Sequence, residues 1–316
     1  MNERTKERLR DILPAIALVV IVVAIAAYEP GFMHPETLLR VAADTMTLFL
    51  MASGATLVIM LGSIDLSIQA VASMTSCIVA ALLPDWGPGA IAVALAAGAL
   101  AGALSGLVVN RLRIPSFIAT LAVSGLVTTV AYYASDTRSV LISAADKATW
   151  LGWSSGETLG VENEVFVGLA SLLVLSALMG LTRFGRLVRA VGSQERAVIA
   201  SGVDVGRVRL LAFVVSGFMA GLAGIVMAAR LGSGSPTLAN EFLLPAIACI
   251  IVGGTAITGG VGSVWKTFVG ALIVAVVRIG MTFVGVTVFA QQIVFGVVLV
   301  VAVAVTMDRS KVTTVK

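Results

Sequence analysis

Long apolar runs separated by short polar segments dominate the pattern of this chain. A helix needs about 20 mostly apolar residues to cross the hydrocarbon core of a bilayer, so these runs indicate membrane-crossing helices. The chain is therefore predicted to be an all-α integral membrane protein with about ten transmembrane helices in one domain, residues 1–316. The predicted spans are residues 12–28, 39–61, 66–83, 89–109, 115–134, 164–182, 208–229, 243–258, 267–284 and 287–306.

Composition narrows the possible functions. Of the 316 residues, 59% are hydrophobic and 12% are charged, whereas a soluble domain has about 25% charged residues. A soluble enzyme, a secreted mini-protein and a nucleic-acid binder are excluded. Cys77 and Cys249 lie in apolar runs, so no disulfide framework or cysteine-based metal site is predicted. The sequence contains no nucleophile elbow, zinc-ligand spacing or paired carboxylates, so neither catalytic activity nor a cofactor is predicted.

The distribution of basic residues predicts the orientation. If the amino terminus lies inside, sixteen Lys and Arg residues fall on inner segments and three on outer ones. Because inner segments of membrane proteins are enriched in Lys and Arg, both termini are predicted to be cytoplasmic. The outer residues are Arg138, Lys147 and Arg230, and the inner ones include Arg309, Lys311 and Lys316 near the carboxyl terminus.

Two segments need separate interpretation. The first span follows a basic start and contains small residues, which is also typical of a signal peptide. Its apolar stretch from Ile12 to Tyr28 exceeds a usual signal core, so retention is favoured. Residues 135–163 are too polar to span and are predicted to form an external loop, with Trp150 and Trp153 at the membrane interface.

Two glycine-containing interruptions, Gly62–Ser67 and 253–262, lie in opposite halves of the chain. Such interruptions in a transporter indicate irregular backbone that lines a cavity, because unpaired amides are costly in lipid. Asp65 is the only acid between Met46 and Leu83, which makes it a candidate functional group. The alternative is that Asp65 caps a helix beginning at Leu66 by accepting from the amide of Ser67 or Ile68.

Small residues also recur every four positions within two spans. Gly98, Gly102 and Gly106 lie on one face of the fourth span, and Gly217 and Gly221 do so in the seventh. A face without side chains lets a neighbouring helix approach closely. These glycines are predicted to serve helix packing and are assigned no ligand.

The longest inner segment, residues 183–209, carries a short helix pattern. Ser193 is a candidate amino-terminal cap, residues 197–200 favour a helix, and Gly202 suits a left-handed ending. Its apolar residues Ala197, Val198 and Val203 favour contact with a partner. The alternative is a solvated connector that only carries the inner positive charge.

Four stretches together resemble the permease subunits of bacterial ATP-binding-cassette sugar importers of the ribose, xylose, arabinose and galactoside type. LGSIDLSIQAVASM resembles the GGIDLSVG segment of that family, and IPSFIATLAV resembles its PFIATL segment. AIACIIVGGTAITGGVGSVWKTFVGALIV is similar to its glycine-rich AxxxVxxGGTxxxGGxGxxxGTxxGA region. RFGRLVRAVGSQERAVIASGVDVGRVRLLAFVVSGFMAGLAGIV resembles its cytoplasmic loop and following helix. Departures are Ser63 and Lys266, where the family has glycine, and Ser193-Gln194 in place of Gly-Asn.

The resemblance implies a permease dimer of the cobalamin-importer type in the bacterial inner membrane. Two cytoplasmic ATPase subunits would dock on the 193–202 helices, and a periplasmic or lipid-anchored binding protein would deliver a monosaccharide or polyol. Contact with the ATPase is expected at Arg189, Gly192, Glu195, Ala197, Val198 and Gly202. Polar residues expected along the translocation path, Asp65, Ser67, Gln69, Asn110, Thr120, Gln291 and Gln292, do not distinguish one sugar from another.

Alternative functions remain open at this point. A permease of a branched-chain amino-acid importer shares the broken spans and a related loop, but it usually differs where GSIDLS stands. A secondary transporter driven by an ion gradient would need ionisable relays inside the spans. Apart from Asp65, Asp44 and Arg278, the spans contain almost no ionisable groups.

Overall fold

The computed structural model describes residues 3–306, so Arg309, Lys311 and Lys316 of the predicted inner terminus lie outside the described residues. Short loops join the helices, and two small antiparallel strand pairs accompany them. The helices are α1 (Glu3–Tyr28), α2 (Pro35–Met60), α3 (Ile68–Trp86), α4 (Pro88–Leu112), α5 (Ser116–Ala134), α6 (Ala144–Trp150), α7 (Gly152–Ser155), α8 (Asn163–Leu181), α9 (Arg183–Ala200), α10 (Val205–Leu231), α11 (Leu243–Val252), α12 (Val264–Phe283) and α13 (Val288–Thr306). The strands are β1 (Val140–Leu141), β2 (Glu157–Thr158), β3 (Val161–Glu162) and β4 (Ser233–Gly234), and single 3-10 turns occupy Pro30–Met33 and Asn240–Phe242.

Seven helices within the described chain are long and apolar enough to cross a membrane. They are α2, α3, α4, α5, α8, α10 and α12. The other three predicted spans correspond to α1, α11 and α13, whose apolar helical segments are shorter, at Leu18–Tyr28, Asn240–Val252 and Ala290–Val300. The prediction of a multi-pass helical membrane protein is confirmed, whereas the count of ten spans stays a prediction.

The eighth predicted span, residues 243–258, is too long. Helix α11 ends at Val252, and irregular backbone follows until α12 begins at Val264. Gly254, with φ of 94°, adopts a left-handed conformation that ends the helical path. With 10 residues, α11 is about 15 Å long, or half the thickness of the hydrocarbon core.

Helix α2 lies at the centre of the bundle and is buried without interruption from Thr45 to Met60. Helices α8, α10, α11 and α12 pack around it, and α10 also packs on α3 and α4. The predicted close approach of the glycine faces is observed. A Cβ atom at Gly102 would overlap the Phe213 carbonyl group, and one at Gly217 would overlap the Gly98 carbonyl oxygen. The glycines therefore let α4 and α10 meet at backbone distance.

Two ends of the bundle carry different structures. The α9 end consists of residues 61–67, 183–209 and 253–263. The loop end consists of residues 135–162 and 232–242, where β1 pairs with β4 and β2 pairs with β3. The predicted external loop is thus a small folded cap with two helices, α6 and α7, rather than a bare connection. Trp150 and Trp153 in this cap are 38% and 39% exposed.

Candidate functional site

The break between α2 and α3 is organised by Asp65, which is buried. Its Oδ1 atom accepts hydrogen bonds from the Ser67 amide at 2.9 Å and the Ser67 hydroxyl at 2.6 Å. Its Oδ2 atom accepts from the Ser216 hydroxyl of α10 at 2.7 Å. The predicted contact with the Ser67 amide is present, although α3 begins at Ile68 rather than Leu66. Asp65 therefore holds the start of α3 and joins it to α10.

Hydroxyl groups of α5 bond to two further amides of this break. The Ile64 amide donates to Ser116 Oγ at 2.9 Å, and the Leu66 amide donates to Thr120 Oγ1 at 3.1 Å. Because these hydroxyls replace the backbone partners that a helix would supply, the irregular segment is stable among apolar helices. Thr120 was a predicted path residue, whereas Ser116 was missed because a serine at a helix start is too common to single out.

The second break, residues 253–263, lies directly against the first. The Gly260 amide donates to the Met60 carbonyl at 2.9 Å. A Cβ atom at Gly259 would come within 2.7 Å of the Gly62 amide nitrogen. Gly62 and Gly259 have φ values of 74° and 87°, which favour glycine. The two interruptions predicted in opposite halves of the sequence thus meet at one place in the fold.

Helix α9 reaches the same place through a kink. Gln194 has non-helical dihedral angles, φ −157° and ψ 72°, which divide α9 into a longer first part and a short helix, residues 195–200. A Cβ atom at Gly192 would overlap the Met60 carbonyl oxygen and approach the Gly260 nitrogen. We call this meeting of Gly62, Gly192 and Gly260 the glycine junction.

The predicted capping role of Ser193 is wrong. Helix α9 begins ten residues earlier, at Arg183, and the Ser193 hydroxyl donates back to the Arg189 carbonyl at 2.9 Å. The Arg189 guanidinium in turn donates to the Met179 carbonyl at 2.7 Å, which satisfies the carboxyl-terminal end of α8. Arg189 therefore anchors α9 to a span instead of facing outward.

The short helix 195–200 presents mixed surfaces. Ala197 is exposed and Ile199 is 55% exposed, whereas Val198 and Val203 are half-buried against the core. Only part of the predicted apolar face is therefore open to a partner, and Ile199 adds to it. Gly202 adopts φ of 80°, the left-handed ending that the sequence indicates.

Glu195 extends from this helix to α10. Its Oε1 atom lies 2.8 Å from Arg209 Nη2, and Arg209 Nη1 donates to Asn110 Oδ1 of α4 at 3.2 Å. Asn110 also donates from Nδ2 to the Gly206 carbonyl at 2.8 Å. Asn110, a predicted path residue, joins the ends of α4 and α10, and Arg209 was not among the predicted site residues.

Two cavities flank the short helix. The first, of about 800 Å³, lies between it, the break at residues 62–64 and the α4–α5 connection, residues 109–117. Its polar lining includes Asn110, Ser116 and Arg209. The second, of about 860 Å³, is lined by residues 194–197 and Ile199. Glu195 and Ile199 line both cavities.

The remaining predicted path residues lie apart. Gln69 is half-buried in the first turn of α3, next to the break. Gln292 donates to the Glu241 carbonyl at 3.0 Å, and Gln291 donates to Val286 and Thr282 at 3.3 Å. These contacts place both glutamines near the loop end, far from Asp65. The structure thus brings Asp65, Ser67, Gln69 and Thr120 together, places Asn110 in the cavity beside the break, and separates Gln292 from them.

Sequence reasoning also missed a charged cluster at the loop end. Arg230 Nη1 lies 3.0 Å from Asp44 Oδ1 and 3.2 Å from Glu164 Oε1, and Arg278 Nη1 lies 4.0 Å from Asp44 Oδ2. The Glu164 side chain is only 1% exposed. These residues come from α2, α8, α10 and α12, so their proximity has no local sequence signal. Within the described residues, no group of three or more metal-ligating side chains is present.

In this helical membrane bundle, two broken segments meet at a kinked helix. Irregular backbone that lines a cavity in this way is typical of membrane permeases. The chain belongs to the family described as branched-chain amino acid transport system / permease component, whose sequence model matches residues 37–303.

Several curated relatives carry sugar-permease names. The ribose import permease protein RbsC of Escherichia coli K12 is 34% identical over 304 residues, 95% of each chain. The Bacillus subtilis ribose import permease protein RbsC is 30% identical, covering 94% of this chain and 92% of that protein. The D-allose transport system permease protein AlsC of Escherichia coli K12 is 30% identical, covering 92% and 89%. The predicted resemblance to sugar-importer permeases is confirmed and is favoured over the branched-chain amino-acid alternative.

Proposed function

We propose that this chain forms the translocation path of an ATP-driven importer for a monosaccharide or a related polyol. The similarity to ribose permeases over 95% of the chain carries the proposal. The meeting of both broken segments with the kink of α9 supports it, because an energy-coupling contact would need this proximity to act on the path.

The chemistry of the break suits a neutral, hydroxyl-rich solute. Asp65, Ser67, Ser116 and Thr120 supply carboxylate and hydroxyl groups that now bond to the break itself. If the break opens, the same groups become available to sugar hydroxyls. A few polar groups that converge within an apolar surrounding are typical of small-molecule sites.

The finer architecture belongs to the same proposal. Ten spans, a cobalamin-importer-like dimer and two cytoplasmic ATPase subunits would place the α9 end in the cytoplasm with both termini. A periplasmic or lipid-anchored binding protein would then deliver the solute at the loop end. The concentration of basic residues on the α9 end supports this orientation.

Reconstitution in liposomes tests the proposal. The chain, its ATPase and its binding protein should take up labelled sugar only with ATP, and an ionophore that collapses ion gradients should leave uptake unchanged. If uptake instead proceeds without the ATPase and the ionophore abolishes it, the chain is a secondary transporter.

Ala197→Asp tests the docking of the ATPase. Residue 197 is exposed on the short helix, and a charge buried there at a contact costs several kcal/mol. The variant should insert normally and lose the co-purifying ATPase. Ala145→Asp makes the same change at an exposed position of α6 on the loop end and should keep it. Equal ATPase recovery in both variants, with unchanged transport, would make the segment a mere connector.

A further inference from the structure

Helix α10 contacts both the short helix of α9 and the break at Asp65. Near its start, Arg209 pairs with Glu195 at 2.8 Å. Seven positions later, Ser216 donates to Asp65 Oδ2 at 2.7 Å. Residues seven apart lie on nearly the same face of a helix, here about 10 Å along the axis. One face of α10 therefore joins the two segments.

The contact at Arg209 is shielded mainly on the arginine side, since the Glu195 side chain is 43% exposed. The Arg209 side chain is 18% exposed, and its guanidinium also bonds to Asn110 of α4. Charge-assisted hydrogen bonds in such surroundings are stronger than those at a free surface, where ion pairs contribute little. Movement of Glu195 would thus displace the start of α10 or break this contact.

The stretch of α10 between the two contacts is tightly held. Phe213 is fully buried, and its carbonyl packs on Gly102 of α4. A Cβ atom at Gly54 of α2 would come within 2.6 Å of the Ser216 Cα atom. Close-packed elements move as units rather than deform continuously. A displacement at Arg209 would therefore reach Ser216 instead of being absorbed between them.

We propose that Arg209 and Ser216 are positioning residues that couple the short helix of α9 to the break at Asp65. This inference rests on the proposed function, because the ATPase would supply the movement of the helix. When the ATPase favours one position of Glu195, α10 transmits that preference to the hydrogen bonds of Asp65. An effector can shift such an equilibrium only through contacts that differ between its two states, and the proposal assigns that role to these two contacts.

Arg207 offers a matched control on the same helix. It pairs with Asp204 at 2.9 Å, but the two side chains are 85% and 56% exposed. Both partners lie within one turn of each other, so this pair joins no separate segments. Replacing Arg207 with glutamine removes the same charge as replacing Arg209 without touching α9 or α4.

The experiment measures solute transported per ATP hydrolysed in the reconstituted complex. Arg209→Gln should lower this ratio by about fivefold or more, the usual range of coupling between sites. Arg207→Gln should keep the wild-type ratio. Glu195→Gln should lower the ratio similarly. The double variant Glu195→Gln with Arg209→Gln should have a ratio no lower than either single variant, because both substitutions remove the same contact.

An unchanged ratio for Arg209→Gln at wild-type abundance overturns the inference, and so does an equal loss in Arg207→Gln. If Arg209→Gln fails to accumulate, Ser216→Ala, which removes a single hydroxyl group at the other contact, takes its place in the same measurement. An unchanged ratio in Ser216→Ala also overturns the inference. Failure of the wild-type chain to bind any ATPase would instead refute the proposed function.

Discussion

Arg230 Nη1 lies 3.0 Å from Asp44 Oδ1 and thereby ties the last turn of α10 to α2 at the loop end. The same nitrogen contacts Glu164, whose side chain is 1% exposed. Arg230 thus lies between carboxyl groups of α2 and α8, and its hydrogen bond to Asp44 is charge-assisted. The cluster therefore fixes three spans relative to one another.

Replacing Arg230 with glutamine should destabilise the protein by about 1–3 kcal/mol, because Asp44 loses the charged donor that bonds to its Oδ1 atom. Thermal unfolding in detergent measures the effect. Arg138→Gln is the control, since Arg138 and Asp136 are 82% and 92% exposed and lie 3.9 Å apart. Adding Asp44→Asn to Arg230→Gln should recover part of the loss. A midpoint for Arg230→Gln equal to that of Arg138→Gln would show that the cluster contributes no stability.

Asp65→Ala should reduce uptake per molecule more than it reduces abundance in the membrane. The change leaves the Ser67 amide and two hydroxyl groups without their acceptor, which costs about 1–3 kcal/mol for a buried donor. Quantitative blotting and uptake of labelled sugar separate the two effects. Ser63→Ala, at another buried position of the same break, serves as the control. Wild-type uptake per molecule in Asp65→Ala would remove Asp65 from the mechanism.

Gly192→Ala should disrupt the glycine junction. The added methyl group overlaps the Met60 carbonyl, and overpacking of this kind costs about 1–3 kcal/mol. The matched change Gly180→Ala in α8 meets no atom within 4 Å and should be neutral or slightly stabilising, since alanine favours helices. Unfolding midpoints compare the two variants. Equal unfolding midpoints would mean that the glycine junction accommodates the added methyl group without loss of stability.

Cysteine labelling tests the orientation. Ser201→Cys on the α9 end and Ser139→Cys on the loop end are exposed positions. The native Cys77 and Cys249 are buried, so they give little background. A membrane-impermeant maleimide added to intact cells should label Ser139→Cys alone and should reach Ser201→Cys only after lysis. The reverse pattern would invert the predicted topology.

The sequence is sufficient to predict most of the spans, because apolar length alone determines whether a helix can cross a bilayer. Asp65 is also predictable, as an isolated acid inside a long apolar stretch. Its partner Ser216 is not, because a serine within a helix carries no distinguishing signal. The cluster of Asp44, Glu164 and Arg230 cannot be predicted from the sequence for another reason. These residues are far apart in sequence, and only packing brings them together.

The α9 segment shows where local rules fail. Capping preferences favour Ser193 as the cap of the short helix, but the kink lies at Gln194, and the Ser193 hydroxyl donates back to the Arg189 carbonyl. Contacts between Gly192 and two other backbones impose the kink at Gln194 from outside the segment. Tertiary packing therefore decides the local conformation here.

The length of α11 has a consequence for how the protein is assembled in the membrane. Ten residues cannot cover the hydrocarbon core, and the glycine-rich backbone after Val252 relies on α2 for one of its hydrogen bonds, since the Gly260 amide donates to the Met60 carbonyl. An insertion machinery that releases one apolar helix at a time would find no stable position for α11 alone. We therefore expect α11 to enter the bilayer only after α12 has emerged, with α2 in place to receive both. Late helices of the carboxyl-terminal half would then depend on an early one for their insertion.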